Sequence, residues 1–423
     1  MLDLKFIRSH PEAVRKGLEA KPEPNADLDR LLVLDATWRE RLADVERLRG
    51  ERNKRSQEVL EKKKAGESAD LLIAETRELG ARLASLEEEI KGLKADLDVL
   101  LTWIPNIPHV SVPVGPAQTA NREVRRWGDP VAAGGRIPHW KIGPDLGLFD
   151  TDAAAKISGS GFSVYTGRGA RLVRAVINFF LDIHTMKNGY REIWPPSIVR
   201  RECLFGTGQL PKLEEDMYHT EKDDLFLIPT AEVPLTNLYR EEILPAERLP
   251  VYLTAYSPCF RREAGAYGRE TRGLMRVHQF DKVELVKFVR PETSYDELEK
   301  LVANAEMVLQ ALELPYRVVL LGSGDLSFAA AKCYDLELWA PAEERWLEVS
   351  SCSNFRDFQA RRANIRYKPA DGGKTRFIHT LNGSGLALPR TVIAVLETYQ
   401  TEGGTVRVPP ALQPYLGGLA EVR

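Results

Sequence analysis

Between Pro258 and Glu284 the chain reads PCFRREAGAYGRETRGLMRVHQFDKVE, with five arginines, several glycines and three glutamates in one short span. Guanidinium groups suit forked contact with phosphate, and glycine permits tight turns and close backbone approach. His278 and Phe280 alternate with polar or charged residues, as a strand flooring a site would. A surface hairpin with solvated charges has the same composition, so composition leaves both readings open. Other chemistries find less support. The four cysteines (Cys203, Cys259, Cys333 and Cys352) are far apart and form no CxxC pair, which argues against a disulfide scaffold or a sequence-local zinc site and for reduced thiols. The seven histidines are scattered, without HExxH. Neither GxGxxG nor a GxxxxGKS/T loop occurs, so any nucleotide must be held by other means.

The elements that must position these residues follow from patterning. The 423 residues carry 59 basic and 61 acidic side chains, a net charge of −2, so a polyanion partner would need a local basic patch. Length predicts two or three domains with ample core. No run of about 18 apolar residues occurs, and the first residues mix charge into their apolar positions, unlike a membrane span or secretory leader. Leu31, Leu34, Trp38, Leu42, Val45 and Leu48 step by three or four, and so do Leu79, Leu83, Leu86, Ile90, Leu93, Leu97, Leu100 and Ile104. Such stripes predict a two-stranded coiled coil, with Lys62–Asp70 as the turn of an antiparallel hairpin and arms of about 34 residues reaching about 50 Å. A dimerisation coil has the same stripe. Arg47, Arg49, Arg52, Lys54, Arg55, Lys62, Lys63 and Lys64 outnumber Glu51, Glu58 and Glu61 near the turn, whereas Glu87, Glu88 and Glu89 mark the outgoing arm. A positive distal stretch on a rod suits a phosphate backbone, though a solvated face carries the same charges.

Residues 105–150 are rich in Pro and Gly and read as a linker, or as a loop-rich lead into a second domain. Beyond about Gly161, helical stretches (Ala170–Lys187, Thr293–Leu312) alternate with β-rich ones (Tyr190–Trp194, Tyr316–Leu321, Asp335–Trp339, Thr375–Thr380), predicting an α+β domain.

Six collinear segments carry a family resemblance. Phe260-Arg261-x-Glu263 with the tail RGLMRVHQFDKVE resembles motif 2 of class II aminoacyl-tRNA synthetases, in the version of the seryl-tRNA synthetase family. Lys187-Asn188-Gly189-Tyr190 through Pro196 is similar to motif 1, and Gly385–Arg390 within HTLNGSGLALPRTVIAVLE to motif 3. PTAEVPLTNLY (Pro229–Tyr239) and SSCSNFRDFQARRANIRY (Ser350–Tyr367) are like segments particular to the seryl enzymes, as is FGTGQLPK from Phe205, and the hairpin matches too. The resemblance implies an antiparallel sheet flanked by helices over residues 105–423, with 105–160 leading into it. It implies a tRNA-binding hairpin domain over 1–104, a homodimer, and a cytoplasmic serine–tRNA ligase using ATP and Mg²⁺. The implied partners are L-serine, tRNA(Ser) and, as is general in the family, tRNA(Sec), with no membrane and no DNA.

The resemblance also implies roles. Arg261 and Arg390 match the catalytic arginines of motifs 2 and 3, at the α-phosphate and near the adenine and γ-phosphate. Arg262, Glu263, Phe280, Glu348, Val349, Ser350 and Ser351 complete the ATP-binding set, with Glu263 near the adenine amino group, Phe280 stacking on adenine, and Glu348 and Ser351 sharing Mg²⁺ through ATP. Thr230, Ala231, Glu232, Glu284 and Ser384 match serine-binding positions. Leu326-Ser327, Arg262 and Pro389 depart from the common pattern of Met-Gly, Ser and Gly at those places. Related enzymes that load a carrier protein lack the hairpin, and binding paralogues typically lose the motif 2 or the motif 3 arginine; this chain has the hairpin and both Arg261 and Arg390.

Overall fold

The computed structural model describes residues 1–264 and 272–423; Arg269 and Glu270 of the arginine-rich span lie outside the described residues. The chain divides into two compact units, one of Leu2–Leu18 and Glu23–Pro105, the other of Met1, Glu19–Pro22 and Asn106–Arg423.

In the first unit the apolar stripes become α1 (Leu28–Lys64) and α2 (Asp70–Thr102), of 37 and 33 residues, packed against each other. Asp27 caps α1, its carboxylate accepting from the Arg30 amide at 3.0 Å. Gly66, at φ +73°, takes the left-handed conformation that the turn requires. Val45, Leu48 and Leu83 are buried at the seam, with Leu79, Leu86 and Ile90 around them. Nearer the turn the seam thins, and Leu60, Leu71 and Ile73 are exposed. The short helix Leu4–Ser9 is fastened to α1 by Arg8, which grips both oxygens of the buried Asp35 at 2.7 and 2.8 Å, with Arg39 adding a bond at 3.0 Å. Burial opposes ionisation of Asp35, but the hydrogen bonds from Arg8 and Arg39 outweigh it and hold the carboxyl below its ordinary value.

The second unit is built on β1 (Arg122–Trp127), α3 (Gly167–Asp182), β2 (Arg191–Glu192), β3 (Val251–Phe260), β4 (Gln279–Val289), α4 (Ser294–Ala311), β5 (Tyr316–Leu320), β6 (Lys332–Ala340), β7 (Arg345–Arg356), β8 (His379–Ala387) and α5 (Leu388–Thr398). The eight strands form one sheet in the order β1-β5-β6-β7-β8-β4-β3-β2, antiparallel except for the β2–β3 pair. The expected elements recur with shifted ends. The stretch read as a linker supplies the edge strand β1, whose REVRRW sequence is exposed throughout and so shows no apolar alternation. The helix expected to reach Lys187 leaves α-geometry at Asp182 and finishes as a π-turn, Ile183–Lys187. There the buried His184 donates through Nε2 to the Gly385 carbonyl at 2.9 Å.

Strand alternation separates core from site. On β4, Val283 and Leu285 join the main apolar core with Val176 and Phe180 of α3, Leu301 and Val308 of α4, and Ile393 and Leu396 of α5. The intervening Lys282 and Glu284 line a cavity. On β7, Cys352 joins the core while Ser351 and Ser353 line the cavity; on β8, Leu381 joins the core while Asn382 and Ser384 line it. The helices thus cover one set of side chains, and the polar set is left for ligand. All four cysteines are unpaired.

Candidate active site

The cavity holds about 520 Å³. At its base Lys282 donates to Thr230 Oγ1 at 2.9 Å and forms an ion pair with Glu284 Oε2 at 2.5 Å. Asn382 Nδ2 donates to Glu284 Oε1 at 3.1 Å. Glu232 opens the short helix Glu232–Asn237 and accepts from Gln359 Nε2 at 2.7 Å; Gln359 is itself held by Thr380 Oγ1 at 2.7 Å. Glu232 and Glu284 are both buried. Burial, and then the neighbouring Glu284 charge, push Glu232 up to about 7, against the Gln359 bond and the Lys282 and Arg261 charges. Burial likewise raises Glu284, with Lys282 opposing. Two carboxyls around one ammonium leave net negative character at the base, a receptor for a small cation.

A second cavity of about 210 Å³ adjoins it and shares Arg261, Glu263, Arg276, Lys282, Glu348 and Ser384. Phe280, Val349, Pro389 and Arg390 also line it, together with Leu274, Met275, Val277 and Ala387. Arg261 lies over the Phe280 ring at 5.1 Å, and its Nε donates to the Pro229 carbonyl at 3.3 Å, which leaves the rest of the guanidinium to face the cavities. Arg276 Nη1 donates to Glu263 Oε2 at 2.5 Å. Glu263 sits at φ +51°, a region non-glycine residues rarely occupy; its amide neighbours are fixed by Asp216, which accepts from the Arg262 amide through its carbonyl and from the Ala264 amide through its carboxylate, both at 3.0 Å. Arg390 stands in the first turn of α5 and donates to the Glu348 carbonyl at 2.5 Å, with Glu348 Oε2 at 3.7 Å. Pro389 lies in that same first turn, where its missing N–H costs the helix nothing. An aromatic face with guanidinium groups on either side of a slot suits a heterocycle bearing phosphates.

Ser351, which lines the first cavity, donates through Oγ at 3.1 Å to Oε1 of Glu348, which lines both. Asp335, paired across the sheet with Ser351, is raised well above the ordinary carboxyl value by burial and then by Glu348. Hard oxygen donors therefore gather in the cavities that Arg261 and Arg390 also line.

The structure brings Thr230, Glu232, Arg261, Glu263, Phe280, Glu284, Glu348, Val349, Ser351, Ser384 and Arg390 to these two cavities. It does not bring Ala231, Arg262 or Ser350 to their walls. Ala231 is buried in a neighbouring apolar cluster. The Arg262 side chain lies toward the Tyr218 ring, at 5.8 Å. Ser350 Oγ donates to the Ser384 carbonyl at 2.7 Å and so ties β7 to β8. Of the departures, Ser327 lines the larger cavity and Leu326 is buried. Lys282, Asn382, Gln359 and Arg276 were not singled out from sequence. Lys282 was within reach: Phe280, Lys282 and Glu284 alternate along one strand and share a face.

Comparison with known proteins decides the family. Residues 1–108 match the family model described as Seryl-tRNA synthetase N-terminal domain, and residues 213–399 that described as tRNA synthetase class II core domain (G, H, P, S and T). The chain is 56% identical over 417 residues to the Serine–tRNA ligase of Caldanaerobacter subterraneus subsp. tengcongensis, covering 98% of both chains. The chain belongs to the seryl-tRNA synthetase family. It is also 56% identical to the Serine–tRNA ligase of Pelotomaculum thermopropionicum, over 100% of both chains. Among solved structures, the seryl-tRNA synthetase of Pyrococcus horikoshii complexed with ATP superposes with a TM-score of 0.95 at 40% identity, covering 100% of this chain and 99% of that one. As a seryl-tRNA synthetase the chain is an aminoacyl-tRNA ligase, with the class II sheet and the long helical hairpin together in one polypeptide.

Proposed function

We propose that the two joined cavities activate L-serine with ATP and pass it to the 3′ end of tRNA(Ser). The observation that carries this reading is the convergence of Arg261, Phe280, Glu348 and Arg390, from separate stretches of chain, beside an acidic, lysine-bridged cavity. The serine ammonium goes to Glu232 and Glu284, and Thr230 and Ser384 supply further polar contacts. A site that hydrogen-bonds a hydroxyl rejects alanine strongly, whereas one added methyl (threonine) costs only about 1–3 kcal/mol. The serine carboxylate attacks the α-phosphorus in line. An oxygen–phosphorus bond forms, the bond to the bridging oxygen breaks, and pyrophosphate leaves. Arg261 stabilises charge at the α-phosphate, Phe280 holds adenine, Glu263 lies at its amino group, and Arg390 takes the adenine and γ-phosphate side. The terminal ribose hydroxyl of the tRNA then attacks the activated carbonyl, and AMP departs.

The donor set of Glu348 and Ser351 fits Mg²⁺, which takes oxygen ligands shared with phosphate. Bound there, the ion would neutralise triphosphate charge. The hairpin domain, residues 1–104, engages tRNA(Ser), and tRNA(Sec) is a further substrate. A homodimer forms through the β2 edge of the sheet, where Trp194 and Met186 are 77% and 76% exposed. No helix among the described residues is long and apolar enough to cross a membrane, and the cytoplasm is the proposed place of work. The deciding experiment is ATP–pyrophosphate exchange with each amino acid in turn. Exchange that depends on serine is expected; exchange supported by another amino acid and not by serine overturns the reading.

A further inference from the structure

Behind the wall of the second cavity, which Leu274 lines, a buried histidine joins two of the chain segments that build the site. His139 opens the short helix His139–Asp145 and is wholly buried. Its Nδ1 lies 3.0 Å from Glu397 Oε1, and its backbone N–H donates to the same oxygen at 3.0 Å. Glu397 is also fully buried, accepts at Oε2 from the Ala342 amide at 3.0 Å, and belongs to α5, the helix that carries Arg390. On its other edge, His139 Nε2 accepts from the Leu274 amide at 3.3 Å. An N–H aimed at Nε2 requires the lone pair there, so Nδ1 carries the proton and donates it to Glu397.

The neighbouring residues close the same joint. Gly273, at φ +62°, passes so near that a Cβ would sit 2.6 Å from His139 Nε2 and 2.7 Å from Trp140 Cβ. Arg272 lies over the Trp140 ring at 5.4 Å, and Trp140 Nε1 donates to Glu343 at 3.1 Å. We propose that His139 and Trp140 are positioning residues for the nucleotide: they fasten Arg272–Leu274, just ahead of Arg276 and Phe280 in the chain, to the helix that presents Arg390. The inference rests on the reading of Arg261, Phe280 and Arg390 as the ATP clamp. His139, Glu343 and Glu397 also lie close enough together for a metal ion. A metal on Nδ1 would move the proton to Nε2 and set it against the Leu274 N–H, so the observed bond favours the hydrogen-bonded tie over a metal.

Serine-dependent pyrophosphate exchange on the full-length protein tests this, with ATP and serine varied separately. His139→Asn keeps a donor for Glu397 and loses the acceptor for Leu274; the expected result is a KM for ATP raised roughly tenfold, with KM for serine moved less than about twofold. His139→Gln places an acceptor near the Leu274 amide and is expected to recover most of that loss. Gly273→Ala attacks the joint from the other side without altering the histidine, and the same ATP-selective rise is expected even if the histidine variants fold poorly. An unchanged KM for ATP in Gly273→Ala, or ATP and serine constants rising together, overturns the proposal. So does a stoichiometric metal in the purified wild-type protein that is lost in His139→Asn. Arg261→Ala and Arg390→Ala run beside them separate the two levels: if neither impairs ATP use, the clamp reading fails, and if both do while the joint variants behave as wild type, only the tie fails.

Discussion

Along the hairpin, Arg49 lies 2.8 Å from Glu87 and Arg41 lies 2.9 Å from Glu89, with each side chain 38–47% exposed. In the sheet, Lys282 lies 2.5 Å from Glu284 and Lys287 lies 3.0 Å from Glu297, and none of these four side chains is more than 8% exposed. The pairing chemistry is the same and the surroundings are opposite. Water screens the hairpin pairs, so they bias helix register and solubility while contributing little to stability. The sheet pairs have lost their water, so each charge depends on its partner, and removing one leaves the other stranded. The hairpin can therefore lend charge to a large partner without risk to its own fold. The sheet can hold charge in fixed places for a small one.

The widest break in this contrast should come from Arg261→Ala. Loss of a positioned donor at the reacting phosphate is expected to lower kcat/KM for pyrophosphate exchange by about 10²–10³-fold. Deletion of Arg49–Asp70, a far larger change, should leave exchange at the wild-type rate. Near-normal exchange by Arg261→Ala, with unaltered melting, would refute the role given to that arginine.

Stability offers the second test. Lys287 donates to Glu297 and lies 4.5 Å from the centre of the Tyr252 ring. Burial lowers its pKa, with Glu297 opposing, so the site is costly for the ammonium and held by the pair. Lys300, at 2.7 Å, and the Tyr252 hydroxyl still serve Glu297 when Lys287 is gone. Lys287→Met should then cost about 3 kcal/mol, near the lower end for a broken buried pair, and lower the melting midpoint by roughly 3–5 °C in a chain of this size. Arg49→Ala should leave the midpoint where it is. Equal shifts in the two variants would erase the distinction between the regions.

The same contrast explains which parts of the molecule are legible in its sequence. The hairpin was legible because its stripe is local: Leu31 to Leu48 and Leu79 to Leu97 announce two helices by spacing alone. Strand β1 was not, because an exposed edge has no apolar face to alternate. In the site, the arginine-rich span was visible as composition, but only the family resemblance coupled Arg261 to Arg390. Gln359 was beyond sequence reasoning, since the packing of the helix Phe358–Arg362 under the sheet is what points its amide at Glu232. Arg262, which the resemblance places in the ATP-binding set, lies toward the Tyr218 ring, whereas its neighbour Arg261 lies over Phe280, a divergence that sequence alone does not show.

A pH series sharpens the account of the buried acids. With Glu232 pushed up to about 7 by burial and by Glu284, its carboxyl is protonated in acid and has no charge to offer the serine ammonium proposed to sit beside it. KM for serine should fall by up to about tenfold per unit as pH rises toward 7, and level off above it. Glu232→Gln should give a uniformly high, flat KM. A flat wild-type profile between pH 6 and 8 would show that Glu232 is ionised throughout. The stability of the empty protein should respond with the opposite sign. A folded value raised above the ordinary 4.5 means that the folded state holds the extra proton between 4.5 and about 7. That contribution to stability is complete at low pH and is lost as pH rises through the raised value.

The smallest expected effect lies on the hairpin, and the structure alters which residues should carry it. Arg47 is engaged by Asp44 and Glu51, Arg49 by Glu46 and Glu87, Arg55 by Glu75, and Lys62 by Glu67. Lys54, Lys63 and Lys64 are exposed and make no ion pair among the described residues. A phosphate meeting Arg49 must first displace a carboxylate, whereas one meeting Lys63 displaces only water and small ions. Replacing Lys54, Lys63 and Lys64 together by alanine should therefore raise KM for tRNA a few-fold and lower the steepness of its salt dependence by about 0.7–0.9 for each phosphate that is no longer neutralised. Arg49→Ala should do less, because it removes a cation that is already neutralised. Exchange with serine and ATP alone should be untouched in both. If the triple variant charges tRNA with the wild-type KM and salt slope, the lysines around the turn are a solvated face and the tRNA-binding surface must be sought elsewhere on the chain.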